Sequence, residues 1–428
     1  MNDSFDIAIV GGGMVGASLA VALKGLEVRV ALIEAVPHDA ASQPSFDERT
    51  TALSNGSRRI LETLGVWPAV AAAATPIAKI HVSDQGHFGF ARIDAAEQGL
   101  RALGYVVANR ALGAALWSKL GDQGDLRLYC PARVSRLIPG EQSVELGVSE
   151  ASGVESSIRA QLVVAADGIE SAVRSAFGVS ADVRDYEQTA VITTVLPRRF
   201  HEHVAYERFT TNGPLALLPL NDGRCTLVLT LHRSLAQTAM SWSDEEFLAE
   251  VHRRFGFRLG RFLKVGRRVA YPLSLTRARR TSAGRCAIIG NAAQGLHPVA
   301  GMGFNLGLRD VACLAELIAE RRCEPRGEHG GNRELRDFGA SALLSAYDAW
   351  RAADRGEIIA FTDGLVRLFS NPLGAVQRLR NLGLLAFDLL PPAKAALSSL
   401  STGAAGRVPK LARGVALGPA SSAAGSSA

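Results

Sequence analysis

The run Gly11-Gly-Gly13-Met-Val-Gly16 constrains this chain more than any other six residues. It stands between residues 5–10, a short apolar pattern that reads as a buried strand, and residues 15–23, an apolar stretch rich in small side chains that reads as a helix. Residues 27–34 (EVRVALIE) then alternate as a second strand, so the order predicts a βαβ unit. At such a turn Gly11 permits the tight bend, Gly13 lets backbone approach a pyrophosphate, and Gly16 lets helix and strand pack closely. Glu34, at the end of the second strand, places a carboxylate where ribose hydroxyls would donate to it and a 2′-phosphate would be repelled. A dinucleotide-binding unit is therefore expected.

Two further strand-to-turn junctions follow. Val163-Val-Ala-Ala-Asp167-Gly168-Ile-Glu-Ser171-Ala-Val-Arg174 runs from a buried strand into a loop whose Asp-Gly and Arg would form a charged, hydrogen-bonded knot. By itself it also fits an ordinary strand-turn-helix junction. Gly290-Asn291-Ala-Ala-Gln-Gly-Leu-His297-Pro298-Val-Ala-Gly301-Met-Gly303-Phe304-Asn305-Leu-Gly307 is more specific. Its glycines bring backbone close to a flat ligand, and a helix expected to begin near Phe304 aims free N–H groups and a positive dipole end at that ligand. Reduced flavin carries negative charge at N1 and the adjacent carbonyl, which a helix end of this kind would stabilise. The same helix carries Leu306, Val311, Leu314 and Leu317 on one face.

Between the second and third motifs the pattern changes. Pro214-Leu-Ala-Leu-Leu-Pro-Leu, the turn Asn221-Asp-Gly223 and residues 225–231 read as a β-hairpin, predicting a mainly antiparallel region. The expected organisation is an α/β domain over residues 1–75, 105–180 and 280–365, a β-rich substrate domain over 76–104 and 181–279, a helical segment over 366–412 and a disordered tail over 413–428. In the helical segment Leu373, Val376, Leu379, Leu382 and Leu385 recur at helical spacing beside Arg378 and Arg380, a basic amphipathic pattern suited to peripheral contact with an anionic inner membrane. No apolar run reaches the roughly 20 residues of a spanning helix, and the acids before Ile7 speak against a signal peptide. The net charge of +6 is scattered and lacks interleaved aromatics, so no nucleic-acid partner is expected. Five cysteines without a C-x-x-C pair point to a reducing, cytoplasmic compartment and to no metal site.

Taken together, the three glycine motifs resemble those of the class A flavoprotein aromatic hydroxylases. That resemblance implies a p-hydroxybenzoate-hydroxylase-like α/β fold: an FAD-binding Rossmann-type domain interrupted by a mainly antiparallel β substrate domain, with C-terminal helices. Residues 290–310 are similar to the GNAAQ-x-LHP-x-AG-x-GFNLGLRD run of the ubiquinone-biosynthesis hydroxylases, including Asn291 where most of the superfamily has Asp. The run departs at Gly295 and Met302, where Thr and Gln are common. The likeness extends over almost the whole chain and is nearest to the 2-octaprenyl-6-methoxyphenol hydroxylases, through stretches such as His81-Val-Ser-Asp-Gln-Gly-His87, Glu207-Arg-Phe-Thr and Gly213-Pro-Leu-Ala.

The resemblance implies FAD as cofactor, NAD(P)H as reductant and O2 as cosubstrate, with a flavin C4a-hydroperoxide delivering one oxygen to a polyprenyl methoxyphenol. It also implies other ubiquinone-biosynthesis proteins as partners. It assigns Arg49 and Arg110 to the length of the FAD, Val134 to the adenine, Asp167 to the family's DG element, Asn291 to the ribityl chain, and Gly303, Phe304 and Asn305 to the flavin ring. Plainer readings remain: a surface arginine for Arg49, a core valine for Val134, a turn former for Asn291. His297, followed by Pro298, is a candidate base for the phenol or a structural residue of a tight loop. The pair His201 and His203 reads as a solvated edge. A hydroxylase of a non-prenylated aromatic acid, and a flavin-binding assembly subunit without turnover, are the alternative functions.

Overall fold

The computed structural model describes residues 3–40, 43, 45–47, 49–87, 89–121, 124–297, 301–323, 336–370 and 407–418. The strand Asp3–Val10, apolar and buried on both faces from Ile7 onward, lies inside an eight-stranded sheet, parallel to Val30–Ile33 on one side and to Glu155–Ala165 on the other. Cys286–Ile288 extends the parallel set beyond Glu155–Ala165. Register places Val10 opposite both Ile33 and Ala165, and Ala165 opposite Ile288. The carboxyl ends of these four strands therefore share one sheet edge. The turns that leave them, at Gly11, Glu34, Asp167 and Gly290, meet there, as the carboxyl edge of an open parallel sheet requires of a ligand site.

Helix Met14–Leu23 covers this sheet and packs in turn against helix Met302–Cys323. Gly290 and Gly307 make that approach possible, since a Cβ on either would lie 2.9 Å from the Val15 side chain. The second helix begins at Met302, two residues before the expected start. It is buried on nearly every side from Asn305 to Ala319, not along a single stripe, because helix Ser341–Ser370 closes its outer face.

A nine-stranded sheet forms the other layer, in the order Gln294–Gly295, Val269–Ala278, Ala181–Pro197, Cys225–His232, Gly213–Pro219, Val204–Thr210, Lys79–Asp84, Phe90–Asp94, with the ninth strand, Phe262–Val265, paired to Ala181–Pro197 outside that order. All its pairings are antiparallel except Val204–Thr210 with Lys79–Asp84. One face buries Val191, Leu215, Leu217, Leu227 and Leu229 under helices Arg233–Ser241 and Asp244–Phe255. The second of these helices is started by a capping box in which Ser243 and Glu246 bond each other's backbone N–H groups. The opposite face looks toward the glycine turns. A small sheet of Thr50–Ser54, Gly104–Ala108 and Thr75–Ile77 sits between the two layers.

Several expectations need correction. Of the tail expected from 413 onward, residues 413–416 are exposed, but Leu417 lies against the main cluster, close after buried Leu411 and Ala412. His201 is buried and bonds the Leu220 carbonyl at 2.9 Å instead of forming a solvated edge. The amphipathic pattern from Leu373 to Leu385, and Pro298, lie outside the described residues. Among the described residues no helix is long and apolar enough to cross a membrane and no cluster could hold a metal ion. All five cysteines are free.

Candidate active site

The first turn is built for an anion. Gly13 caps helix Met14–Leu23 with no side-chain hydrogen bond, and no acidic residue occupies the first turn, so the helix's leading N–H groups remain available. A Cβ on Gly16 would overlap the Gly11 carbonyl, and one on Gly11, whose φ is +104°, would overlap the carbonyl of Ala166 in the second motif. The Glu34 carboxylate accepts Gly12 N–H at 2.5 Å and Val36 N–H at 2.8 Å, which fixes it beside the glycine turn. The Trp117 indole N–H donates to the Gly12 carbonyl at 3.0 Å, and His38 stacks on that indole.

Strand Ala132–Pro139 enters this corner through Ala132 N–H, which donates to the Glu34 carbonyl at 2.8 Å, and Val134 is half-buried two residues on. Arg49 and Arg110 come from adjoining segments, joined where Asn109 N–H donates to the Arg49 carbonyl at 2.8 Å. Arg49 pairs with Asp47 at 2.6 Å and lies over the Tyr271 ring at 4.5 Å, while Arg110 is exposed in the first turn of helix Asn109–Trp117.

The Asp167 knot forms with different partners from those expected. Asp167 accepts the Ser171 hydroxyl and, at 3.1 Å, the Val173 N–H. Arg174 does not pair with Asp167: its guanidinium donates to the carbonyls of Ile169 at 3.1 Å and Ala292 at 2.8 Å. The arginine thus ties the second motif to the third. Burial favours this arrangement, since a short Ser171 hydroxyl reaches Asp167 locally and leaves the long side chain to satisfy carbonyls farther away.

In the third motif Asn291 is exposed within the turn Gly290–Ala292, and Gly303 has open space where a Cβ would stand. Phe304 is half-buried against the main core. The Asn305 amide is fully engaged: it donates to the carbonyls of Ala52 and Gly301, both at 2.8 Å, and accepts Ser54 N–H at 2.8 Å. Its side chain pins the helix start to the small sheet. His297 is buried, faces the Gln188 amide oxygen at 3.3 Å and meets Tyr186 edge-on. Burial pushes its imidazole down to about 4, so it is neutral near pH 7 and a weak base.

Two features carried no role in the sequence reading. Behind the third motif, fully buried Asp310 accepts Gly290 N–H at 3.0 Å, Gln294 at 2.8 Å and Arg351 at 2.7 Å, while Arg355 bonds Gln294 at 2.6 Å and Arg351 and Arg309 share Asp354 at 2.5 Å. Charged residues within otherwise buried helix faces were its only sequence signal. In the nine-stranded sheet, Glu207 is a carboxylate between apolar neighbours on the face toward the glycine turns. Its signal was an acid at an alternating position where an apolar side chain is expected.

Residues 4–332 match the FAD binding domain family. The chain is 39% identical to the ubiquinone hydroxylase UbiL of Rhodospirillum rubrum, over 96% of this chain and 93% of that protein. It is 34% identical to the 3-demethoxyubiquinol 3-hydroxylase of Escherichia coli, over 90% of this chain and 95% of that one. This chain belongs to the FAD-dependent ubiquinone-biosynthesis hydroxylases. The fold of this hydroxylase is also that of the p-nitrophenol 4-monooxygenase PnpA from Pseudomonas putida, with a TM-score of 0.73 at 18% identity over 95% of this chain and 99% of that one. PqsL from Pseudomonas aeruginosa superimposes at 0.71 and 21% identity, over 90% of this chain and all of that one. It is an FAD monooxygenase of the p-hydroxybenzoate-hydroxylase-like fold, and its residues fit the cofactor: an uncapped helix end, glycines closed to any side chain and a carboxylate held beside them.

Proposed function

We propose that this hydroxylase acts on a polyprenyl methoxyphenol, placing one hydroxyl on the ring para to the existing one, with electrons from NAD(P)H and oxygen from O2. The observation that carries the reading is the convergence of three glycine turns on one sheet edge, facing an antiparallel sheet, in a chain whose relatives are named for ubiquinone hydroxylation. In this reading Gly11, Gly13 and Gly16 seat the pyrophosphate and Glu34 accepts the ribose hydroxyls. Arg49, Arg110 and Val134 flank the nucleotide, Asp167 and Asn291 the ribityl chain. Gly303 and Phe304 offer backbone at the ring, and Asn305 holds that helix end in place. Bound FAD supplies the two-electron and oxygen chemistry that no amino-acid side chain provides. The protein's part is to bind, orient and exclude water. The Asp310 network keeps the Gly290–Gln294 loop rigid from behind, and His297 joins the same loop to the sheet at Gln188.

The setting inferred is cytoplasmic with peripheral contact at the inner membrane, alongside other ubiquinone-biosynthesis proteins, since a prenylated phenol resides in lipid. The test is substrate-stimulated NAD(P)H oxidation by the purified enzyme with three ligands: a prenylated methoxyphenol, a prenylated demethoxyquinol and a non-prenylated aromatic acid. Stimulation with hydroxylated product from the first supports the reading. Turnover of the aromatic acid alone, or binding of FAD with no turnover of any ligand, contradicts it.

A further inference from the structure

On the sheet face toward the cofactor site, one ionisable group is used neither by the fold nor by the FAD assignments. Glu207 stands beside Val82 and Ala216, and its row continues across the sheet through Val228, Ile192 and Val269. The rows on either side dock on the FAD-binding layer. In one, Thr226 bonds Thr50 at 3.0 Å; in the other, Tyr271 donates to Asp47 at 3.1 Å. On the same strand and face as Glu207, Ala205 shares an apolar cluster with Leu218 and Ala52, and the Ala52 carbonyl accepts the Asn305 amide. Helix Ser341–Ser370 packs on this strand and the next, and its Ile358 packs on Met302. Glu207 therefore lies on the sheet face that meets the FAD-binding layer, on a strand against which the long helix packs, and that helix in turn reaches the start of helix Met302–Cys323.

On that face Glu207 has no hydrogen bond or ion pair among the described residues, yet it keeps part of its surface accessible. A buried carboxylate with no protein partner is costly to the fold, and such cost persists where a ligand supplies the partner. We propose that Glu207 is the catalytic residue that receives the phenol hydroxyl of the aromatic substrate, accepting its hydrogen bond and taking its proton as oxygen is transferred to the ring. The proposal rests on the phenol reading given above. The phenol O–H bond breaks, the proton passes to the Glu207 carboxylate, and the electron pair stays on the ring oxygen, raising electron density at the para carbon. When that carbon, now hydroxylated, loses its hydrogen as a proton that neutralises the negative charge left on the oxygen donor, Glu207 returns the first proton to the ring oxygen.

The electrostatics suit this exchange. Burial alone pushes the Glu207 carboxyl from 4.5 up to about 7, closer to a phenol's roughly 10, so a hydrogen bond in the resting complex becomes proton transfer as charge develops. Other ionisable groups nearby are engaged elsewhere: Asp84 with His87, Asp363 with Tyr186, Arg351 with Asp310 and Asp354, Arg355 with Gln294, Arg49 with Asp47 and His297 with Gln188. Glu357 is exposed on the long helix.

The experiment compares wild type, Glu207→Gln and Glu207→Asp in the FAD-loaded enzyme, measuring FAD content, NAD(P)H oxidation without substrate, and hydroxylated product from a prenylated phenol between pH 5.5 and 9. Wild-type turnover should rise with pH through about 7, well below the substrate's own ionisation near 10. E207Q should lose that limb and at least tenfold in product formation, with FAD content and unstimulated oxidation unchanged, while E207D keeps the limb at reduced rate. Because the folded state holds this proton more tightly than the unfolded chain, the destabilisation it causes is absent below about 4.5 and complete above about 7. E207Q should therefore also melt higher than wild type at pH 8, by about 2–4 °C. An E207Q enzyme with the wild-type rate and limb, or one that loses FAD, overturns the proposal. A wild-type enzyme that binds FAD but hydroxylates no phenol overturns the phenol reading itself.

Discussion

At the scale of single residues, Glu34 is the side chain whose removal is most informative. It ends an alternating strand after a glycine fingerprint, and the structure holds its carboxylate on Gly12 and Val36 N–H groups beside the uncapped helix. A charged hydrogen bond contributes about 1.5–3 kcal/mol. Glu34→Ala should weaken FAD binding roughly 10- to 150-fold in a fluorescence titration, while the FAD-saturated variant still hydroxylates. Inactivity at saturating FAD in a folded variant would reassign Glu34. Other single residues were not legible at all. His297 reads from sequence as a tempting base beside the flavin loop, and only burial, invisible in sequence, reveals its lowered proton affinity. Arg174 and Asp167 lie seven positions apart and look like natural partners, yet a competing serine hydroxyl captures the carboxylate.

Among elements, the start of helix Met302–Cys323 carries the sharpest expectation. No acidic residue stands in its first turn, and Gly303 has room for a side chain. An acid in a helix's first turn favours the helix, so Gly303→Asp should fold. The same carboxylate sets negative charge against the position where a reduced ring must hold its own, so the flavin potential should fall, on the order of 30 mV for each ~1.4 kcal/mol of lost stabilisation. Hydroxylation should fall with it. Potentiometric titration checks this, and an unchanged potential in an FAD-loaded variant would mean that the helix end does not face the ring. The strands and turns that build the site were readable because each motif is local: strand, glycine, helix. The helix was read as amphipathic, but packing on both sides buries it, and periodicity alone cannot announce a second covering helix that follows later in the chain.

For the whole molecule, parallel register does what no motif specifies by itself. Pairing Val10 with Ala165 and Ala165 with Ile288 delivers three distant turns to one edge. Antiparallel register then turns Gln188, Glu207, Thr226 and Tyr271 to the face opposite them. The glycine turns are more legible in the sequence than the residues on the facing sheet, because each turn is a local signal whereas Gln188, Glu207, Thr226 and Tyr271 come from separate strands. A phenol hydroxylase working through this assembly splits O2 between the ring and water. The most direct measurement is turnover of a prenylated phenol under 18O2 in ordinary water, with the product read by mass spectrometry. Each hydroxylated product should carry one labelled oxygen, with one NAD(P)H consumed for each. Unlabelled hydroxyl derived from water, or NAD(P)H consumed with hydrogen peroxide as the sole product under every substrate, would contradict the phenol reading.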